Sequence, residues 1–585
     1  MAALRSLYAY IERYKYELIA GAFALIVTDA LGLLPPWLIK LAIDHIGKTK
    51  GQTNFINPLL KYSILIVSTV GLQVLFRYYW RKHLFGISRK VEYDLRNDYF
   101  RHLQRLHWGF FQHTKTGDIM SRATNDLQAV REFLGIGSVI IIDTTVIIST
   151  CLMLMIVISP RLTIISLLPM LMVSIIVLKF SREIKRRFES VQGQLSEISS
   201  MVHESMAGIR VVQSYVQEAN ELNRFKRLNH QLIEKNLGLI KISGVFFPLM
   251  VLTTGGVAAL ILWVGGKEVI DGRLTLGSYV AFNGYLAMLT WPMAATGIMI
   301  NLSQRGAASM QRIKEIMDVK PGICESQQSS ASGRRLKGKI EIKSLTFSYS
   351  GNGNILTNIN LKVDAGSSLA IAGPVGSGKS TLVKLILRIY DISPGSILID
   401  DIDIREIPLK ILREFIGYVE QEPFLFSDTI RENIVFGVKG VTAGEIDRAI
   451  LVAGLDRDMR IFIDGLDTVI GERGITLSGG QRQRVVLARA IIKKPKILIL
   501  DDAFSNLDAY TEDMVFKNII GFLKDTTIIL ISHRVSTIKE ADTIAVMENG
   551  KIAETGTHDE LISKGGLYNR IYKKQIFSEM DLVEE

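Results

Sequence analysis

Six apolar stretches, each about as long as a bilayer core is thick, fill the first half of this chain. They run near Leu18–Ile43, Leu59–Tyr79, Gly135–Ile158, Leu162–Leu178, Gly244–Val264 and Leu276–Ile300. Backbone polar groups in lipid must be paired inside their own segment, so each stretch is expected to be a membrane-spanning helix. Beyond about residue 305 the apolar residues break into short strand-like and helix-like patches. The 48% hydrophobic content and the mean hydropathy of +0.24 therefore average two unlike halves. A chain of 585 residues is also too long for one ordinary domain.

The links between the stretches are unequal. Ser159–Arg161 is a three-residue connection, whereas Arg81–Phe133 and Lys179–Ile242 are long, charged and free of proline. Lys and Arg recur in both, as in "REIKRR" at Arg182–Arg187. Positive residues favour the cytosolic side, which places these links and both chain ends there. A helix of 25 residues is about 37 Å long, so each link can be two helices reaching into the cytosol and turning at a tip. Phe110–Asp118 and Glu204–Tyr215 read as the tips. Residues 3–15 put Leu4, Leu7, Tyr8, Ile11 and Tyr14 on one face, as an interfacial helix would. Pro35-Pro36 is expected to kink the first span.

The net charge of +11 arises from Lys and Arg beside the apolar runs, which is a membrane pattern; nucleic acid is not expected as a partner. Cys151 and Cys324 fall in unlike surroundings, so neither a disulfide framework nor a thiolate metal site is expected. The first apolar run is too long for a cleaved signal. Asp29 and Asp143 fall within spans, where charge is costly. They either line a substrate path that favours cations or pair structurally with polar neighbours.

The second half opens after a polar stretch, "ESQQSSASGRR", that reads as a linker. "KIEIKSLTFSY" alternates Ile340, Ile342, Leu345 and Phe347 with a register break in the middle. Ser367–Ala372 is a short apolar strand, Gly373–Ser380 matches G-x-x-x-x-G-K-[ST], and a helix follows. Glycines let several N–H groups point at one anion, and the helix start adds its positive dipole end. Lys379 supplies a charge to the outer phosphates and Ser380 a magnesium ligand. Ile497–Leu500 is a buried strand ending at Asp501, an acid placed to hold magnesium in P-loop NTPases.

"LSGGQRQR" at Leu477–Arg484 completes the set. With six spans, two long cytosolic links, a phosphate loop and this motif in order, the chain resembles an ABC exporter half-transporter over essentially its full length. The resemblance implies an all-α transmembrane domain of six long helices with cytosolic extensions, then an α/β P-loop NTPase domain using ATP and Mg2+. Expected bounds are residues 1–318, a linker at 319–337, the nucleotide-binding domain at 338–575 and a tail at 576–585. Coupling helices are expected near 111–118 and 207–215.

The resemblance also implies roles. Tyr349 stacks on adenine. Gly373, Pro374, Val375, Gly376, Ser377, Gly378, Lys379, Ser380 and Thr381 bind the phosphates. Ser380, Gln421 and Asp501 hold magnesium. Leu477, Ser478, Gly479, Gly480 and Gln481 bind the nucleotide of a partner subunit. Glu472 contacts the coupling helices, Asp508 lies in the loop crossing the dimer, and His533 contacts the γ-phosphate and the attacking water.

One position departs from the family pattern. The residue after the magnesium aspartate is usually Glu; here it is Asp502. Asp is shorter by one C–C bond, roughly 1.3–1.5 Å. A misplacement of about 1 Å can cost on the order of a hundredfold in rate. Catalysis at this site, assigned to Asp502, His533 and Gln421, is thus expected to be slow. The expected form is a heterodimer with a second, homologous half-transporter, exporting small hydrophobic or amphipathic compounds from the cytoplasmic membrane. Alternatives are a homodimeric lipid or peptide exporter with Asp502 as working base, and a nucleotide-gated channel or regulator.

Overall fold

The computed structural model describes residues 5–48, 56–323, 336–349, 353–471 and 477–581. The chain divides into two compact units: Met1–Gln104 with Lys115–Val319, and Arg105–Thr114 with Lys320–Glu585.

The first unit is helical. Among the described residues five stretches are long and apolar enough to cross a membrane: Lys15–Lys48, Leu59–Leu103, Thr116–Ile158, Glu218–Ile270 and Leu276–Met317. The remaining expected span, Leu162–Leu178, lies inside the helix Pro160–Ala207. That helix opens sharply because Ser159 caps it, accepting from Leu162 N, and Pro160 occupies the first helical position, where no N–H is needed. The two long links are continuations of the spans: Ile56–Leu103 is one 48-residue helix and Glu218–Ile270 one of 53 residues. In this unit the short helix Thr116–Ser121 lies at the first tip and Ile209–Ser214 at the second; the short helix Trp108–His113 belongs to the second unit.

One local expectation, the kink in the first span, is met, and another needs correction. The first span breaks at Leu33, between the helices Lys15–Gly32 and Leu34–Lys48. Pro35 and Pro36 sit in the first turn of the second helix, where missing donors are tolerated, so the interruption falls just ahead of the rings, in line with the expected proline kink. The amino-terminal helix is short, Tyr8–Glu12, and does not present the expected face as one apolar surface. Leu7 is buried but Tyr8 is 68% exposed. Tyr10 and Tyr14 instead donate to Asp98 Oδ2 and Asp94 Oδ2, each at 3.0 Å. Leu4 and Cys324 lie outside the described residues; Cys151 is a buried free thiol.

The second unit holds two sheets. Strands β1 (Ile340–Phe347), β2 (Leu356–Val363), β4 (Ile397–Ile399) and β5 (Ile402–Asp403) pair antiparallel in the order β2-β1-β4-β5. The expected break in β1 is a register shift between Ile342 and Leu345, with Ser344 at φ +46°. The larger sheet runs β10-β9-β3-β8-β7-β6, from β3 (Ser368–Ala372), β6 (Ile416–Val419), β7 (Ile497–Asp501), β8 (Thr527–Ile531), β9 (Thr543–Glu548) and β10 (Lys551–Gly556). All neighbours in it are parallel except β10 with β9. β7 and β8 are buried at every residue, which explains their unbroken aliphatic runs. Ile497, Ile499, Ile529 and Ile531 face one apolar cluster, and Leu498, Leu500, Ile528 and Leu530 the other.

Ile499 is fully buried between β6 and β8. Ile499→Ala should destabilise the nucleotide-binding unit by about 3 kcal/mol, read as a lower thermal midpoint of the full chain. An unchanged midpoint would contradict the packing described.

Candidate functional site

Four neighbouring strands, β3, β8, β7 and β6, run parallel, so their carboxyl ends share one edge of the sheet, the usual ligand edge of such folds. β3 leads into Gly373–Gly378, β6 to Gln421, β7 ends on Asp501 and β8 leads to His533.

The loop after β3 is confined by its surroundings. A Cβ at Gly373, where φ is +143°, would run into the carbonyl oxygen of Met547. One at Gly378, with φ +99°, would lie 2.6 Å from Leu356 Cδ2. Gly378 hands the chain directly to the helix Lys379–Ile386. Lys379 is 6% exposed, and its Nζ donates to Gly373 O and Pro374 O at 2.8 and 2.9 Å. Ser377 Oγ is buried without a partner, while Val375 is exposed at the loop crest. Ser380 Oγ donates to Asp501 Oδ1 at 3.1 Å. Burial pushes the Lys379 ammonium down from its usual range and the Asp501 carboxyl up. Each is a buried charge short of counter-charge. An anion over the loop and a cation between Ser380 and Asp501 would answer both.

Tyr349 donates to Thr381 Oγ1 at 3.3 Å and meets the rings of Phe347 and Tyr390 edge-on at 5.1 and 5.0 Å. Asp502 takes a left-handed backbone, φ +51°, which Asp tolerates better than most residues, and its N–H bonds Ile531 O at 2.9 Å. Gln421 Nε2 lies 3.5 Å from Asp502 Oδ2, a long contact. His533 is exposed.

The residues Leu477–Gln481 build a separate feature. Ser478 caps the helix Gly479–Ile492 and forms a reciprocal box with Gln481, at 3.3 and 2.9 Å. Asp458 anchors that turn, accepting from Gln481 Nε2 at 3.1 Å and from Arg484 Nε and Nη2 at 3.0 and 2.6 Å. Among the described residues no hydrogen bond joins Leu477–Gln481 to Lys379, Ser380 or Asp501. Glu472 lies outside the described residues.

Sequence reading missed the residues that tie these parts together. Gln483, fully buried, donates to Ser505 Oγ at 2.9 Å and accepts from Asn506 N at 3.0 Å. Arg534, beside His533, donates to Leu507 O at 2.8 Å and to buried Glu512. Asp508 caps the helix Ala509–Phe522, and hydrogen bonds from the Thr511 side chain and then its N–H hold its carboxyl below the usual range. The one available signal was a glutamine set on the apolar face of the helix after Ser478. Tyr390 likewise escaped notice; it donates to Gln112 Oε1 of the first tip at 2.8 Å, within the second unit.

Comparison with known proteins agrees with this architecture. The ABC transporter transmembrane region family matches residues 18–293, and the ABC transporter family matches residues 356–505. The chain is similar to the probable multidrug resistance ABC transporter ATP-binding/permease protein YheI of Bacillus subtilis, at 36% identity over 98% of both chains. It is as similar, 36% over 98% of this chain and 99% of the relative, to an ATP-dependent lipid A-core flippase of Desulfotalea psychrophila. A bacterial Atm1-family ABC exporter solved with ATP bound shares the fold, with TM-score 0.77 and 25% identity over 96% of this chain and 98% of that one. ABC ATPase domains bind ATP with Mg2+. The buried lysine, the unpartnered Ser377 hydroxyl and the Ser380–Asp501 pair fit that ligand and that metal. The chain belongs to the ABC transporter family: it is a multi-pass membrane half-transporter of the exporter type, one transmembrane domain fused to one transport-coupled ATPase domain.

Proposed function

We propose that this chain is one half of a heterodimeric exporter of small hydrophobic or amphipathic compounds, with a slow nucleotide site of its own. The observation that carries the reading is Asp502 at the end of β7, one carbon shorter than the glutamate usual there and 3.5 Å from the nearest amide of Gln421. The transmembrane domain is residues 1–318, the linker 319–337, the nucleotide-binding domain 338–575 and the tail 576–585. Lys and Arg in the two long links support a cytosolic position for both termini and the nucleotide-binding domain, with the chain in the cytoplasmic membrane.

Bound Mg-ATP supplies the charge that draws two nucleotide-binding domains together and the bond whose hydrolysis releases them. Tyr349 holds the adenine, and Gly373–Thr381 hold the phosphates, with Lys379 on the outer ones. Ser380, Gln421 and Asp501 hold the metal. Asp502 and His533 orient the attacking water; Asp502, set back, does so poorly. Leu477–Gln481 complete the partner's site rather than this one, and Asp508 lies where the two chains cross. The tips near 111–118 and 207–215 carry closure along rigid helices to the spans. The closed state gains because nucleotide binds it better than the open one. Asp29 and Asp143 line the cargo path.

A second reading is a homodimeric lipid flippase with Asp502 as working base. The lipid A-core flippase relative supports it. Purified alone, the chain should show magnesium-dependent ATP turnover well below one per second; several per second would establish the homodimer instead.

Asp502→Glu should raise ATPase activity of the dimer several-fold, measured at saturating Mg-ATP; no increase would mean that reach does not limit the site. Lys379→Ala should weaken nucleotide binding at the chain's own site and impair transport, whereas Gly479→Asp should stop transport by spoiling the partner's site. Paired nucleotide-trapping and efflux assays give the ranking, and the reverse order would overturn the assignment.

A further inference from the structure

His533, placed by the turn after β8, is exposed, and among the described residues no hydrogen bond holds its ring. Its position is therefore set by its backbone neighbours. Just beyond it lies the short helix Val535–Ile538, whose cap position is Arg534, a side chain with no oxygen to accept from the helix start. The first N–H groups of a helix have no partner within it and must find one elsewhere. Arg534 N–H is met locally, by Ser532 Oγ at 3.0 Å. Val535 N–H is met from 40 residues away, by Gln575 Oε1 at 2.9 Å. The carboxyl-terminal helix Leu567–Asp581 thus supplies the cap that residue 534 lacks.

That helix is itself fixed. Glu554, in β10, accepts from Leu567 N at 2.5 Å and from Tyr568 N at 3.1 Å, and fully buried Tyr568 sets its hydroxyl 2.8 Å from His558 Nδ1. Tyr568, Ile571 and Tyr572 pack with Val535 and Ile538 in one apolar cluster. Gln575 stands one turn beyond Tyr572, on the same face. From the opposite side the His533 segment is held by the helix Ala509–Phe522, where Arg534 and Thr537 both donate to the buried carboxylate of Glu512. The segment is suspended between two helices, and Gln575 reaches its backbone from the carboxyl-terminal one.

We propose that Gln575 is a positioning residue for ATP hydrolysis: by holding Val535 N–H it fixes the backbone from which His533 reaches the γ-phosphate and the attacking water. The inference rests on the role given to His533 above. Loss of the accepting oxygen leaves a donor of buried Val535 without its partner, which is costly, so the helix start must turn or shift to find another. His533, two residues away, moves with it. Nucleotide binding rests on Tyr349 and Gly373–Thr381, which keep their places. Binding therefore survives while hydrolysis at this chain's own site falls.

A dimer holds two nucleotide sites, so the test is read chain by chain. The full-length chain in its dimer, in lipid nanodiscs, is incubated with radiolabelled Mg-8-azido-ATP and orthovanadate. Vanadate takes the place of the released phosphate and locks the ADP product into a site that has turned over; light then fixes the label to the chain that holds it. Gln575→Met, similar in length but without the oxygen, should lower the locked label on this chain about tenfold. Label bound on ice without vanadate, and the thermal midpoint, should not change. Gln575→Glu keeps an accepting oxygen and should retain most of the locked label. Undiminished locked label in Gln575→Met, or a loss that Gln575→Glu shares, would overturn the proposal. So would a fall in midpoint and in ice-bound label together, since the helix would then be a support only. His533→Ala separates the proposal from its premise. If His533→Ala leaves the locked label intact, the role of His533 and the proposal fall together. If His533→Ala removes it and Gln575→Met does not, the positioning alone is wrong. Absence of locked label from the unmodified chain, after incubation long enough for a slow site, would overturn both.

Discussion

The bend between β3 and the helix Lys379–Ile386 is the constraint on which the nucleotide unit turns. At Gly373 the chain passes so close to Met547 that no side chain fits, and at Gly378 it turns left-handed against Leu356. That close passage lets the loop fold back until Lys379 reaches the carbonyls of Gly373 and Pro374. The same turn aims the start of the helix over the loop and sets Ser380 against Asp501. Charge is thus stored in a buried place without enough counter-charge, which makes the site responsive to a polyanion and a divalent cation.

The remaining machinery is attached to that edge by hydrogen bonds spanning long sequence distances. Gln483 fastens the helix of the Leu477–Gln481 motif to the loop Ser505–Asp508 that follows the carboxylates. Arg534 fastens the segment of His533 to the same loop through Leu507. A movement at either feature is therefore delivered to Asn506 and Leu507. Gln483 is fully buried with both ends of its amide paired, which makes that link rigid. They give one chain the means to serve its own nucleotide with one face and a partner's with the other.

Much of this was legible because the signals are local. The phosphate loop is eight consecutive residues whose types follow from close backbone approach to an anion. The strand before Asp501 is a run of aliphatics because both of its faces are covered. The spans were visible from length and hydropathy, and the prolines of the first marked its break, which falls at Leu33 just ahead of them. The amino-terminal helix was misread because periodicity cannot distinguish a tyrosine facing lipid from one whose hydroxyl has an aspartate some eighty residues away. Tyr10 and Tyr14 answer to Asp98 and Asp94, and that partnership exists only after folding.

By itself the sequence determined which segments must leave water, where the phosphate-binding turn falls, and that the carboxylate following Asp501 is short. These are properties of residue size, polarity and spacing along a few turns of chain. Tertiary structure alone decided that Gln483 and Arg534 hold the loop between the two nucleotide-related features, and that Asp29 ends buried with one carboxyl oxygen unpartnered. The reason is one of range. A side chain's chemistry is written at its own position, but its partner is chosen by packing, which brings together residues from a dozen to more than a hundred positions apart.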